Sequence, residues 1–281
     1  MNIEEAKNII DHQFERAIHS DIVLDNFHPI RLIQALKSLI GIDIDNPSKK
    51  LIEWGEDYLS NIEPLPKRYF FYSIKKTKET IVMSDLGDHI LSKEYNFCVE
   101  ELQDLCSVSD GGQIFEYLLE FASINNVSAI PFIWSAFRSN IFLKNKYSYH
   151  LLLLSVKFLI ENESIGNGLI SNIEESCIIE SIKSGSLTRQ SSINSQLEIL
   201  ILNKHLIEED VASIIDVEKK GRSAILEYLN GLELKSITLE MILFLDACRM
   251  MLKDSSSNNR QNIPRILNQV IERKLYVKKN W

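Results

Sequence analysis

Between Pro131 and Pro264 the chain runs 132 residues without a proline and with only five glycines, while leucine and isoleucine recur at three- and four-residue intervals. Proline removes a helical donor and collides with the preceding turn, and glycine weakens helix interiors. A stretch of this length that avoids the first and is sparing with the second, with apolar residues on a 3.6-residue period, is helix after helix. The sequence therefore predicts an all-α fold.

Punctuation divides the chain into elements. A first helix covers 3–18. Pro29 opens a second, whose stripe of Ile30, Leu32, Ile33, Ala35, Leu36 and Leu39 ends near Gly41. Asn46-Pro47 supplies an N-cap and a first-turn proline for a third, with Leu51, Ile52, Gly55, Tyr58 and Leu59 on one face. Further helices are predicted at 67–76, 79–92, 99–106, 128–143, 148–161, 168–183, 192–204, 208–229 and 236–253. Gly111-Gly112 is a break, and Ser109 or Asp110 is the cap candidate for the following helix, which runs through Ala122. The stretch 80–83 is the single weak strand candidate, and Asp25 and His28 before Pro29 read as turn and capping chemistry.

The expected organisation is a helical body over 1–253, with 108–112 as its candidate division, a polar linker over 254–263, and an amphipathic helix with a basic tail over 264–281. Helices of this length on short loops favour antiparallel neighbours, so the hairpins should pack as an irregular α-solenoid or a multi-helix bundle. In helix length and hairpin spacing the chain resembles a HEAT-type or armadillo-type solenoid. The resemblance is architectural only, since no signature residue returns at a fixed interval.

Charge and cysteine usage bound the function. Lysine plus arginine number 31 against 39 acidic residues, a formal balance of −8, and the C-terminal stretch 254–281 is basic. Nucleic-acid binders draw most of their affinity from a basic stripe, so no nucleic acid is expected as a partner. The longest strongly apolar stretch, 151–160, is interrupted by Ser155 and Lys157, and no membrane span is expected. The N-terminus is acidic from its fourth residue and lacks the basic head of a secretory signal. Cys98, Cys106, Cys177 and Cys248 are scattered in apolar surroundings without a CxxC, as for buried, reduced thiols. A cytoplasmic location is the expectation.

Catalytic templates fail. The chain has no adjacent Asp-Asp, no Glu-x-x-His, no HExxH, no phosphate-cradling glycine loop and no GxSxG. No cofactor is called for. Asp85, Asp88 and His89 share a helical face as a weak metal candidate, against a solvated polar face as the plainer account. Asp246 and Arg249, inside a strongly apolar run, are either an ion pair at the core edge or a pocket acid with its cation. Gly111-Gly112-Gln113 matches the tripeptide of peptide-release factors, but two glycines opening a helix explain it.

Aromatic residues concentrate in 132–150. Trp134, Phe137, Arg138, Tyr147 and His150 are the binding candidates, with Arg138 placed to cover the Trp134 ring. Helical core is the competing account of these residues. The function expected is a helical scaffold or adaptor that binds a protein partner through an aromatic-rich or concave face. Two alternatives remain: an enzyme or small-molecule binder with a cavity between helices, using groups such as His150, Asp246 and Arg249, or an acidic regulatory or immunity-type protein.

Overall fold

The computed structural model describes residues 1–20, 27–65, 78–126, 129–162 and 222–249 apart from 240, 244, 247 and 248. Its helices are α1 (Ile3–Ile18), α2 (Pro29–Ile40), α3 (Lys49–Ser60), α4 (Met83–Leu91), α5 (Tyr95–Val108), α6 (Gly112–Asn125), α7 (Ile130–Phe142), α8 (Ser148–Glu161) and α9 (Arg222–Gly231). A 3-10 turn, Leu234–Ser236, follows α9, and the described residues from Leu239 to Arg249 are helical again. The fold is all-α. No strand occurs among the described residues; Ser20 and Pro64 form an isolated bridge, with the Leu65 amide donating to the His19 carbonyl at 2.7 Å. None of the described helices is long and apolar enough to cross a membrane.

The helix starts follow from local chemistry. Asn2 Oδ1 accepts the Glu5 amide at 2.8 Å, and Glu4 and Glu5 lie against the positive end of α1. At α2 the cap is His28, whose Nδ1 accepts the Ile30 amide at 3.3 Å while Pro29 takes the first helical position, where its missing N–H costs nothing. Ser48 rather than Asn46 caps α3, so Pro47 stands outside the helix. Expected to begin at 79, α4 starts at Met83, because Thr80, Ile81 and Val82 are a β-branched run that prefers extended backbone. The helices expected at 67–76, 168–183 and 192–204, the linker at 254–263 and the tail at 264–281 lie outside the described residues, as does 208–221.

Packing closes the helices into a bundle. Besides its neighbours α1 and α3, α2 packs against α7; α8 reaches back to α4, α5 and α6, so the helices on either side of 108–112 meet. A linear array, in which each helix touches only near neighbours in sequence, does not produce these contacts. Gly55 and Gly111 are among the glycines that permit close approaches. A Cβ on Gly55 of α3 would fall 2.7 Å from Leu36 Cδ2, and Gly111, at φ 93°, sits where a Cβ would meet Ser148 Cβ at 3.0 Å.

Between α1 and α3 the contact is partly polar: buried Gln13 donates to the Ile52 carbonyl and to Glu56 Oε1, each at 3.0 Å, and Arg16 pairs with Glu56 at 2.7 Å. Rings fill the centre. Phe132 of α7 stacks on Phe158 of α8 at 4.6 Å and receives the edge of His28 at 5.5 Å, while Phe115 of α6 stacks on Phe137 at 5.4 Å. The last described stretch docks on α3, where Trp54 Nε1 donates to the Ile237 carbonyl at 2.9 Å. Lys50 Nζ takes the Asn230 and Leu232 carbonyls at 2.6 and 2.7 Å, a cation at the negative end of α9.

Candidate functional site

The aromatic segment 132–150 divides between core and surface. Phe132, Phe137 and Tyr149 are buried, so Phe137 serves packing. Trp134 and Arg138 are half-buried on α7, with the guanidinium carbon 6.0 Å from the indole centroid, the cation–π pairing expected from their spacing. Ile141, three residues past Arg138, is 60% exposed. Positions 134, 138 and 141 lie on one helical face, which gives α7 an outward stripe of indole, guanidinium and aliphatic side chains.

Beyond that stripe, the α7–α8 turn brings Tyr147 and His150 against α1. The His19 ring meets Tyr147 at 5.6 Å and His150 at 5.4 Å, both edge-on. Burial lowers the His19 pKa, partly offset by the bond from its Nδ1 to the Glu15 carbonyl at 2.8 Å. His19 was no sequence candidate; it stands at the C-terminal cap of α1, where a lone histidine carries no pattern.

The same turn and α1 enclose a groove of about 310 Å³, lined by Lys7, Asn8, Asp11, His12, Glu15, Phe142, Leu143, Lys144, Lys146 and Tyr147. Burial raises the Asp11 pKa, against the opposing pull of Lys7, Lys146 and Lys144. Lys146 lies over the Tyr147 ring, its Nζ 4.7 Å from the centroid, and a hydrogen bond between the two side chains raises the lysine's pKa. Burial raises that of Tyr147. Of the groove's polar residues only Tyr147 was singled out in the sequence.

The other candidates lie elsewhere. Asp246 Oδ1 accepts Arg249 Nε at 2.8 Å, so the two form the i, i+3 ion pair that was one of the alternatives; Arg249 is only 4% exposed, and its Nη2 has no partner among the described residues. The His89 ring contacts Glu94 and Phe97: its Nδ1 lies 2.9 Å from Glu94 Oε2, and the ring stacks on Phe97 at 5.1 Å. Among the described residues no three ligand-type side chains gather to hold a metal. Gly111 and Gly112 open α6, the Gly112 amide bonding Asp110 Oδ1 at 3.0 Å, the structural role that the tripeptide's glycines suggest.

One arrangement escaped the sequence reading. Glu101 and Asp104, one turn apart on α5, are 2% and 0% exposed; Lys78 pairs with Glu101 through its ammonium and donates its backbone amide to Asp104 Oδ1 at 3.4 Å. Buried carboxylates of this kind persist where a cation and donors compensate their desolvation. Beside α3 lies a hollow of about 500 Å³, edged by the stacked Trp54 and Tyr58 together with Asp57, Glu233 and Ile237. Compared with protein-family models, curated proteins and solved structures, the chain matches none.

Proposed function

We propose that this chain is a helical binding module that docks a protein partner on the outward stripe of α7 and the turn that follows it. The observation that carries the reading is the side-chain set of that stripe. Trp134, Arg138 and Ile141 remain half-buried or exposed on a helix whose Phe132 and Phe137 rings are in the core. Aromatic and arginine side chains dominate binding hot spots: an indole covers a large area with two χ angles to freeze, and a guanidinium offers a planar fork of donors.

A photo-crosslinking residue at position 141 tests this in the source cell, with position 53 on α3 as the exposed control. The expected outcome is a discrete protein adduct at 141 that is absent at 53 and lost on Arg138→Glu at unchanged Tm. Equal labelling at both positions, or none at 141, refutes the docking face. The groove beside Tyr147 favours a second reading, a small-molecule site between helices, because its volume lies at the lower end of the ~300–1,000 Å³ range of such pockets.

A further inference from the structure

Exposed apolar side chains gather on one hairpin. Of the eight large hydrophobic residues that stand in solvent among the described residues, five fall between Val82 and Val108, the stretch that forms α4 and α5. All seven residues of the hairpin tip, 91–97, are exposed. Three of them are large and apolar: Leu91 and Phe97, at 61% and 51%, with Tyr95 between them. Single exposed hydrophobic residues are ordinary, whereas a gathered set marks an interaction surface.

The same hairpin concentrates negative charge. Residues 83–108 include six acidic residues and one lysine, a balance of −5 in a chain that totals −8. Glu101 and Asp104 are buried, but Asp88, Glu94 and Glu100 are exposed. Each stands one helical turn from an exposed apolar residue: Asp88 from Leu91, and Glu94 and Glu100 from Phe97. Asp88 and Glu100 make no ion pair among the described residues. The tip is also fixed in shape. Lys93 takes left-handed backbone at φ 57°, and the Ser92, Lys93 and Glu94 amides donate to the Asp88, Ile90 and His89 carbonyls at 3.0, 3.1 and 2.9 Å. His89 stacks on Phe97, which holds that ring in place while half of its surface stays in solvent. A surface ordered beforehand lowers the cost of binding.

Carboxylates set beside apolar groups call for the complementary pattern, cations beside apolar anchors. Anionic lipid is repelled by the three exposed carboxylates, and two copies of this tip would set like charges face to face. A guanidinium suits the site, because it can lie flat on the Phe97 ring while its N–H edge forks onto a carboxylate. We infer that the α4–α5 tip docks a basic protein segment, an arginine of which lies on Phe97 and pairs with Glu100 while an apolar side chain rests on Leu91. This surface belongs to other helices than the α7 stripe, and the inference does not rest on that reading.

The test places benzoylphenylalanine, a photo-crosslinking relative of phenylalanine, at position 97 of the full chain in the source cell, and sequences the crosslinked peptide by mass spectrometry. The peptide is expected to carry more lysine and arginine than aspartate and glutamate. Asp88→Lys/Glu100→Lys, at unchanged Tm, should lower the adduct yield at least tenfold, and Leu91→Ser at least about threefold. In cell extract the yield should fall at least about threefold between about 0.05 M and about 0.3 M salt, since exposed charges are screened. Arg138→Glu should leave this adduct unchanged, which separates the result from the fate of the α7 stripe. No adduct at 97, a neutral or acidic crosslinked peptide, or an adduct that survives the double charge reversal overturns the inference. So does an adduct to lipid or to a second copy of this chain.

Discussion

His28 should make this fold acid-sensitive well above the range where carboxylates titrate. The ring is 1% exposed, caps α2 as a hydrogen-bond acceptor, and packs edge-on against Phe132. Burial, assisted by the positive charge of Lys157, lowers its pKa from 6.5 to about 3. Folding therefore favours the neutral ring. Its contribution is complete above the unfolded value of 6.5 and is lost as the pH falls toward 3, because the unfolded chain takes up a proton that the folded chain refuses. Between pH 7 and pH 5 this single group should remove about 2 kcal/mol of stability, since each unit below 6.5 is worth about 1.4 kcal/mol. Burial shifts His19 in the same direction and adds to the loss. Urea unfolding followed by circular dichroism at 222 nm, at the two pH values, measures it. His28→Asn keeps a capping acceptor without the titration, so the variant should be weaker at pH 7 yet lose much less on acidification. A wild-type midpoint that does not move between pH 7 and pH 5, or an equal fall in the variant, would refute the assignment.

Three further outcomes follow from packing. Gly111→Ala forces a Cβ into a left-handed residue pressed on Ser148 and should cost at least about 1–2 kcal/mol by urea denaturation. Trp54→Phe leaves the Ile237 carbonyl without its donor and should cost about 1–3 kcal/mol, with faster amide exchange near Ile237 as the local signature. Burial pushes the thiols of Cys98 and Cys106 up to about 11 and about 12; in a Cys177→Ser/Cys248→Ser background they should resist a disulfide reagent at pH 8 until urea unfolds the chain, and rapid native labelling would contradict their placement.

Elements governed by short-range rules were legible in the sequence. The bounds of α1 and α8 match the expected ones, and α2 ends one residue before Gly41, because caps, proline and apolar period all act within a turn or two. The pairings of Trp134 with Arg138 and of Asp246 with Arg249 were readable for the same reason, each being one helical turn apart. The groove was not. Lys7 and Asp11 sit on the polar face of an ordinary amphipathic helix, and only the packing of α1 near the end of α7 sets them opposite Lys144 and Lys146. The buried pair Glu101 and Asp104 was hidden likewise: their i, i+3 spacing resembles a solvated face until tertiary packing covers it. Phe137 shows the converse, since aromatic identity alone did not tell a core ring from an exposed one.

The docking of α3 against the last described stretch bears on how the protein is made. Lys50 and Trp54 find their acceptors at Asn230, Leu232 and Ile237. Synthesis delivers the N-terminal end first, so the opening three helices must leave the ribosome with an indole face uncovered and wait for most of the chain to be translated before it is sealed. A nascent chain stalled short of Ile237 should accordingly present Trp54 to chaperones.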